Sequence, residues 1–572
     1  MTFEYIGFLF GINYIKRIPL SSSGVFDLNI KNKKEERGRE RRFFSGVLLL
    51  SLSTVVVKLL GLGFKIPMLS FLGTEGMGYF NSAYEIYAML CTVATAGLPV
   101  ALSIIVASSR AKHDFFAVER VYRYAFRIFF VFGTSAAVLM AVFSEELASL
   151  IGNPAAQQCI VAIAPTLLFV CIAGAIRGYC QGFEYMTPTA VSQLIEALGK
   201  LVLGVFLAKF AIKRGYSLPI VSAFAVLGIS FGSLFSLLYL MLVKRLKSFE
   251  SVAKDTEKAR NIKGSATVIK LLRIALPITL GSAVIGLTRI IDMTLIMHRL
   301  GDVGINIAQR NEIYGAYTTL ALPVFSLIPA LIAPVSVALV PQLSAFTQSK
   351  DKSGETVVLE NSIRLTAILA LPASLGLTMF SKQILELIFR DQGEAIAISA
   401  PLLSALGGSV LFSCLITTTN AILQAYKRPG LPIISMTVGV GVKLISSYAL
   451  MGVESIGVMG APLGSLLCNL CITLINLAFV SRALGEGLDA FKLFFRPLTA
   501  AVLSVGGAFA LYAYLYDYVG DGVLSFVSAL AAAVLLYALL SLLTGSITKR
   551  DISLLPFGDR LINRMGKHKQ EE

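Results

Sequence analysis

Tryptophan is absent from this 572-residue sequence, histidine occurs three times, and charged residues make up only 15%. Ordinary soluble domains carry about 25% charge, so this chain has too little polar surface to cover its apolar mass in water. The histidines (His113, His298 and His568) are scattered, and no G-x-x-x-x-G-K-[ST] stretch occurs. A histidine-centred enzyme or an ATP-driven pump has little to build on. The seven cysteines, Cys91, Cys159, Cys171, Cys180, Cys414, Cys468 and Cys471, lie in or beside apolar runs. A disulfide framework is therefore not expected. Cys468 and Cys471 have zinc-type spacing, but with no second pair or histidine nearby they read as small apolar helix residues. No metal or cofactor is expected. With no ATP site, directionality has to come from a coupling ion such as Na+ or H+, from membrane potential, or from consumption of product.

What the chain does have is apolar length: 56% of residues are hydrophobic and the mean hydropathy is +0.76. A helix crosses the hydrocarbon core with about 20 apolar residues. On that rule the apolar runs fall at about 44–67, 78–106, 121–143, 158–180, 189–211, 219–243, 268–297, 314–341, 362–388, 397–425, 431–451, 457–480, 496–515 and 521–544. The fold class expected is an all-α integral membrane protein of about fourteen transmembrane helices.

The net charge of +16 is a feature of the loops and does not call for a nucleic-acid partner. Alternate loops, counted from a cytoplasmic N-terminus, hold thirty-one Lys and Arg, against seven in the loops on the other side. The asymmetry predicts cytoplasmic N- and C-termini and an even number of spans. Residues 1–42 contain a short apolar run without a basic leader and then seven basic residues between Lys31 and Arg42. They are a poor signal peptide and read as a disordered, basic cytoplasmic arm.

Residues 43–243 and 268–480 can be laid on one another. Leu72-Gly73-Thr74-Glu75-Gly76 resembles Leu300-Gly301-Asp302-Val303-Gly304; Pro99-Val100-Ala101 resembles Pro334-Val335-Ser336; Ala164-Pro165 matches Ala400-Pro401; and Gln181 matches Gln424. The shared order predicts a duplicated six-helix lobe. The lobes are joined by a charged cytoplasmic linker, 244–267, and related by an axis along the membrane normal, with the substrate site between them. Residues 481–544 add two further helices, and 545–572 form a basic cytoplasmic tail.

Polar residues at membrane depth mark candidate sites, because each costs several kcal/mol to bury (about 2.5–3.5 on insertion scales). Lys58 and Lys65 share a face of the first span. Glu85 follows Asn81 by one turn in the second. Glu196 and Lys200 line the fifth, where they are spaced to pair, as Arg289 and Asp292 are in the seventh. Lys443 lies inside the eleventh. Five cations (Lys58, Lys65, Lys200, Arg289 and Lys443) against Glu85, Glu196 and Asp292 suit an anionic substrate such as a diphosphate. Pro99, Pro323, Pro329 and Pro334 are expected to bend helices around a cavity, with a functional bend in 314–341.

Arg177-Gly178-Tyr179-Cys180-Gln181-Gly182, followed by Met186-Thr187-Pro188-Thr189-Ala190-Val191-Ser192-Gln193 and Glu196, resembles the span four-to-five signature of the stage V sporulation protein B-like transporters. These belong to the multidrug/oligosaccharidyl-lipid/polysaccharide flippase superfamily, which also holds the lipid II flippases. Lys58-Leu59-Leu60-Gly61, Gly97-Leu98-Pro99-Val100-Ala101, Ala275-Leu276-Pro277-Ile278 and Asn420-Ala421-Ile422-Leu423-Gln424-Ala425 support the resemblance. It implies two lobes around a central cavity that alternates between sides. Arg177 joins the site residues, Lys58 takes the place of a cavity arginine, and Gln181, Asn420 and Gln424 form the helix-end signature. The implied activity is flipping of an undecaprenyl-diphosphate-linked oligosaccharide, a peptidoglycan or polysaccharide precursor, from inner to outer leaflet. The partners are then that lipid and the surrounding membrane lipids, with the chain acting as a monomer. Two alternatives are an ion-coupled multidrug or cation antiporter, which favours an acidic cavity, and a membrane glycosyltransferase or polymerase, which needs a substantial loop bearing acidic or His residues on the outer side.

Overall fold

The structure is a computed structural model, and it describes residues 26–112, 114–246, 264–349, 352–390, 392–426, 428, 430–485 and 491–546. The expected linker and basic tail lie largely outside these residues, as does the first part of the N-terminal arm. Every regular element among the described residues is helical, as the fold class requires: in hydrocarbon, a helix satisfies its own backbone hydrogen bonds.

The first helix, α1 (Phe26–Thr95), is two rods that meet at Gly73, where φ 62 and ψ −176 break the helical path. Only glycine takes that conformation without strain. Helix α1 already includes Phe26–Arg42, so the arm expected to be disordered is helical from Phe26 on. The Lys, Arg and Glu residues of that stretch are good helix formers, and they continue a helix nucleated by the apolar run after it.

The chain then forms α2 (Gly97–Ala111), α3 (Phe115–Val142), a short α4 (Ser144–Leu150), α5 (Gln157–Gly182), α6 (Thr187–Lys213) and α7 (Leu218–Leu246). These elements and α1 make the N-lobe. The C-lobe is built from α8 (Gly264–Asp302), α9 (Ile307–Ala316), a π-helical segment Tyr317–Ala321, α10 (Leu322–Ser349), α11 (Lys352–Met379), a short α12 (Ser381–Ile388), α13 (Gly393–Ala425), α14 (Gly430–Met451) and α15 (Gly460–Leu484). The order long, short, long in α3–α4–α5 recurs in α11–α12–α13, and Pro165 and Pro401 stand inside the matching long helices.

Helices α16 (Arg496–Val519) and α17 (Gly522–Leu543) pack on one another and on the C-lobe. Val505, Ala508 and Phe526 surround Phe380, Ala501 joins Ala367 and Leu371, and the Tyr537 hydroxyl donates to the Ile368 carbonyl at 2.7 Å. Their outer faces present apolar side chains such as Leu503, Val534 and Leu535, which suits contact with lipid.

Twelve segments of the described residues are long and apolar enough to cross a membrane. The fourteen expected include two that this measure does not separate. Leu52–Arg110 counts once although it runs 59 residues and is broken at Gly73; at 1.5 Å per residue it is nearly three times as long as a core of about 30 Å. Helix α6 is outside the twelve, and it carries Glu196, Lys200, Lys209 and Lys213.

The largest buried apolar cluster crosses the lobe boundary: Phe64, Met68, Met77 and Phe80 of α1 meet Met293 and Met297 of α8, with Tyr314 and Tyr317. A second cluster, at the opposite end, joins Ala94, Leu98 and Leu102 to Leu271 and Ala275. Between these two contacts lies the candidate site.

Candidate functional site between the lobes

Along the second rod of α1, Glu85, Ala88, Met89 and Thr92 recur at helical spacing and share one face. Ser282, Gly286 and Arg289 do the same on α8. The two stripes line one cavity of about 210 Å³. Arg289 Nη1 lies 3.7 Å from Glu85 Oε2, with side-chain exposures of 57% and 12%. That separation exceeds a hydrogen bond, and Glu85 Oε2 is buried without a hydrogen-bond partner among the described residues. Arg289 therefore reaches into open space while its counter-charge stays enclosed.

Three lysines lie near this pair without lining the cavity. The half-buried Lys65 donates from Nζ to the Thr318 carbonyl at 2.5 Å. Thr318 lies in the π-helical segment just before Pro323; proline lacks the N–H that a regular helix would need there, and π segments leave carbonyls out of the regular ladder. Lys58 is exposed, and its Nζ approaches the Ser326 carbonyl at 3.5 Å. The Lys200 ammonium sits over three rings, 4.7 Å from Phe64, 5.8 Å from Phe80 and 4.8 Å from Tyr84, a cation–π setting with Glu196 the carboxylate that acts on it from the same helix. Lys58, Lys65, Lys200 and Arg289 lie close enough for their charges to act on one another. The cavity wall itself thus holds Arg289 and Glu85, with three lysines set around them and Asp292 acting on Glu85 from α8.

Other expected members are elsewhere. Arg177 is a cross-link inside the N-lobe: it bonds Glu196 Oε2 at 2.9 Å, Ser192 Oγ at 2.9 Å and Ser236 Oγ at 3.0 Å. The expected Glu196–Lys200 pair is replaced by Arg177–Glu196, because Arg177 projects from α5 directly onto that carboxylate. The expected Arg289–Asp292 pair is also absent: Asp292 turns to α14, where Lys443 Nζ donates to its Oδ2 at 2.7 Å, and both are buried. Lys443 is thus consumed inside the C-lobe and does not face the cavity.

Gln181 Nε2 reaches Thr189 Oγ1 at 3.5 Å, Asn420 accepts from Asn476 Nδ2 at 2.9 Å, and Gln424 is exposed. None of the three lines the cavity. Pro99 is the third residue of α2, just past the break at Ala96. A Cβ on Gly178 would come within 2.9 Å of its Cα, so this part of the Arg177–Gly182 motif is a packing contact. In 314–341 the irregularity is the π segment ahead of Pro323; Pro329 lies in α10, as does the backbone of Pro334.

Sequence reasoning missed the polar seam that closes one end of the cavity. Asn153 and Asn311, both fully buried, face each other across the lobes, and Asn153 also donates to Ser82 Oγ at 3.0 Å. Asn81 Nδ2 donates to Thr318 Oγ1 at 2.8 Å and to Thr319 Oγ1 at 2.9 Å. The backbones touch here: a Cβ on Gly78 would lie 2.8 Å from Asn311 Cα, and one on Gly315 would collide with the backbone of Thr74. Asn153 sits between Gly152 and Pro154 and looks like an ordinary turn residue; only its position in space marks it.

The polysaccharide biosynthesis protein family matches residues 43–347, more than half of the chain. The chain belongs to the polysaccharide biosynthesis protein family. The MatE family matches residues 312–449 as well. Stage V sporulation protein B of Bacillus subtilis (strain 168) is 25% identical over 531 residues, 92% of this chain and 100% of that protein. Lipid II flippase MurJ of the same organism is 25% identical over 468 residues, 78% of this chain and 83% of that protein. Among solved structures, lipid II flippase MurJ in an inward closed conformation aligns with a TM-score of 0.66 at 15% identity, covering 86% of this chain and 98% of that one. An inward-facing multidrug resistance MATE family transporter of the MOP superfamily aligns at 0.60 and 13% identity, covering 77% and 98%. This member of the polysaccharide biosynthesis protein family is thus a multi-pass helical membrane protein, flippase-like in its sequence relatives and MurJ- and MATE-like in fold.

Proposed function

We propose that the chain flips an anionic, diphosphate-linked lipid oligosaccharide from the inner to the outer leaflet of a bacterial plasma membrane. The observation that carries this reading is the charge at the lobe boundary: Arg289 on the cavity wall beside Glu85, with Lys58, Lys65 and Lys200 close enough to add their charges. Such a head group cannot cross hydrocarbon unaided, and charge-assisted hydrogen bonds from Arg and Lys suit its phosphate oxygens. The names of the relatives, a lipid II flippase and a sporulation protein, agree with cargo of this chemistry.

In this reading the rods of α1 count as two crossings and α6 as one, giving fourteen, with both termini cytoplasmic by the loop charges. The Asn153–Asn311 seam then closes the outer side. Rocking of one lobe on the other opens it and moves access across the membrane.

The MatE match and the MATE-like fold favour a second reading, an ion-coupled antiporter for drugs or cations. Surplus positive charge around the cavity, from Lys58, Lys65 and Lys200 beside the Arg289–Glu85 pair, disfavours a cationic cargo. Depletion of the protein, followed by analysis of the lipid-linked precursors, separates the two. Flipping predicts accumulation of one diphosphate-linked lipid in the inner leaflet; unchanged precursor pools would sink the proposal.

A further inference from the structure

We infer that Glu85 is a proton site coupled to the substrate anion, so that an anion taken by Arg289 leaves Glu85 to bind one proton. The inference rests on the anion-binding reading above and adds to it the ion that accompanies the cargo.

Three observations meet at this carboxylate. The Glu85–Arg289 contact is loose, at 3.7 Å, and lies on the cavity wall. Arg289 is more than half exposed, so its guanidinium is the accessible member of the pair. Glu85 Oε2 is enclosed and has no hydrogen-bond partner among the described residues. A diphosphate arriving in the cavity, with one negative charge on each phosphate, offers Arg289 a bidentate, shorter partner than Glu85 does. Glu85 is then a buried carboxylate that has lost its nearest counter-charge and gained an anion beside it, and such a group neutralises itself by taking up a proton.

The groups that face Glu85 leave it no equivalent replacement. Lys65, from the first rod of α1, is held on the Thr318 carbonyl. From α8, Arg289 is the partner that departs, and Asp292 repels a second negative charge while itself bonded to Lys443. Tyr84, beside it on α1, and Tyr314, from α9, are neutral phenols. The balance of the step is simple. The anion forms its ion pair with Arg289, the Glu85–Arg289 pair breaks, and one proton moves from cavity water to a Glu85 oxygen. Release of the anion reverses each event, so that a proton travels with each anion in the loaded state.

The test is titration calorimetry on the full-length protein in nanodiscs, with farnesyl diphosphate as the probe and buffers of different ionisation enthalpy. The wild type is expected to take up close to one proton more per bound probe than Glu85→Gln does, a comparison that removes the titration of the probe itself. Its affinity is expected to rise about tenfold more per unit fall in pH than that of Glu85→Gln. Glu85→Asp, which keeps a titratable carboxylate, should restore the uptake and guards against a variant that misfolds. Equal proton uptake by wild type and Glu85→Gln, with binding still lost in Arg289→Gln, overturns the coupling and spares the anion site. A wild type that does not bind the probe, or binds it independently of Arg289, overturns the anion site and the coupling with it.

Discussion

Asn153 and Asn311 exchange side-chain hydrogen bonds across the lobe boundary, each Nδ2 donating to the other's Oδ1, at 2.7 and 3.1 Å. Both side chains are fully buried. Asn153→Ala leaves Asn311 Oδ1 enclosed and without this donor, while Asn311 Nδ2 keeps the Ile307 carbonyl, at a cost of about 1–3 kcal/mol to the closed seam. The expected result is faster labelling of a cysteine placed at Ser82, on a background lacking the native cysteines, by a membrane-impermeant thiol reagent. Equal labelling rates with and without Asn153 would show that the pair does not hold the seam.

Gly78 and Gly315 let two helix backbones touch at the same seam. A methyl group on Gly78 would stand 2.8 Å from Asn311 Cα, so Gly78→Ala forces the helices apart. Transport is expected to fall while the protein still inserts and stays monodisperse in detergent, because the wedge acts on closure and not on either lobe's own packing. The same Ser82 labelling distinguishes a seam held open from a general loss of fold.

The buried Asp292–Lys443 pair is expected to behave as structure. Removing either partner leaves a buried charge uncompensated, at about 3–5 kcal/mol. Lys443→Met and Asp292→Leu should each lower the Tm, and the double substitution should recover most of the loss. A double variant as unstable as the worse single one would show that the pair does more than neutralise itself.

Arg177 and Lys200 separate structural from substrate-facing charge in the N-lobe. Arg177→Gln removes bonds to Glu196, Ser192 and Ser236 and should cost about 1.5–3 kcal/mol of stability with diphosphate affinity retained. Lys200→Gln gives up contacts with Phe64, Phe80 and Tyr84, worth about 0.5–2 kcal/mol. It should weaken diphosphate binding more than it lowers the Tm. Binding and thermal melts on the two variants decide the assignment.

The helices were legible in the sequence because a membrane span announces itself by length and apolarity alone, and the repeated Ala164-Pro165 and Ala400-Pro401 pairs fall inside matching helices of the two lobes. Pairing of charges was not legible in the same way. Arg289 and Asp292 have the i, i+3 spacing of an intrahelical pair, yet Arg289 faces Glu85 on α1 and Asp292 faces Lys443 on α14. Which partner wins depends on the rotation of three helices about their axes, and one helix's spacing does not encode that. The aromatic setting of Lys200 and the Asn153–Asn311 seam are likewise products of residues that are far apart in the chain and unremarkable one by one.

The most direct measurement is flipping in proteoliposomes of a fluorescent undecaprenyl-diphosphate-linked sugar, followed by its accessibility to a membrane-impermeant quencher. Wild-type protein is expected to move the labelled lipid, and a Lys58→Gln, Lys200→Gln, Arg289→Gln triple variant that inserts normally is expected to lose most of that movement. Full flipping by the triple variant would contradict an anionic cargo held by these cations.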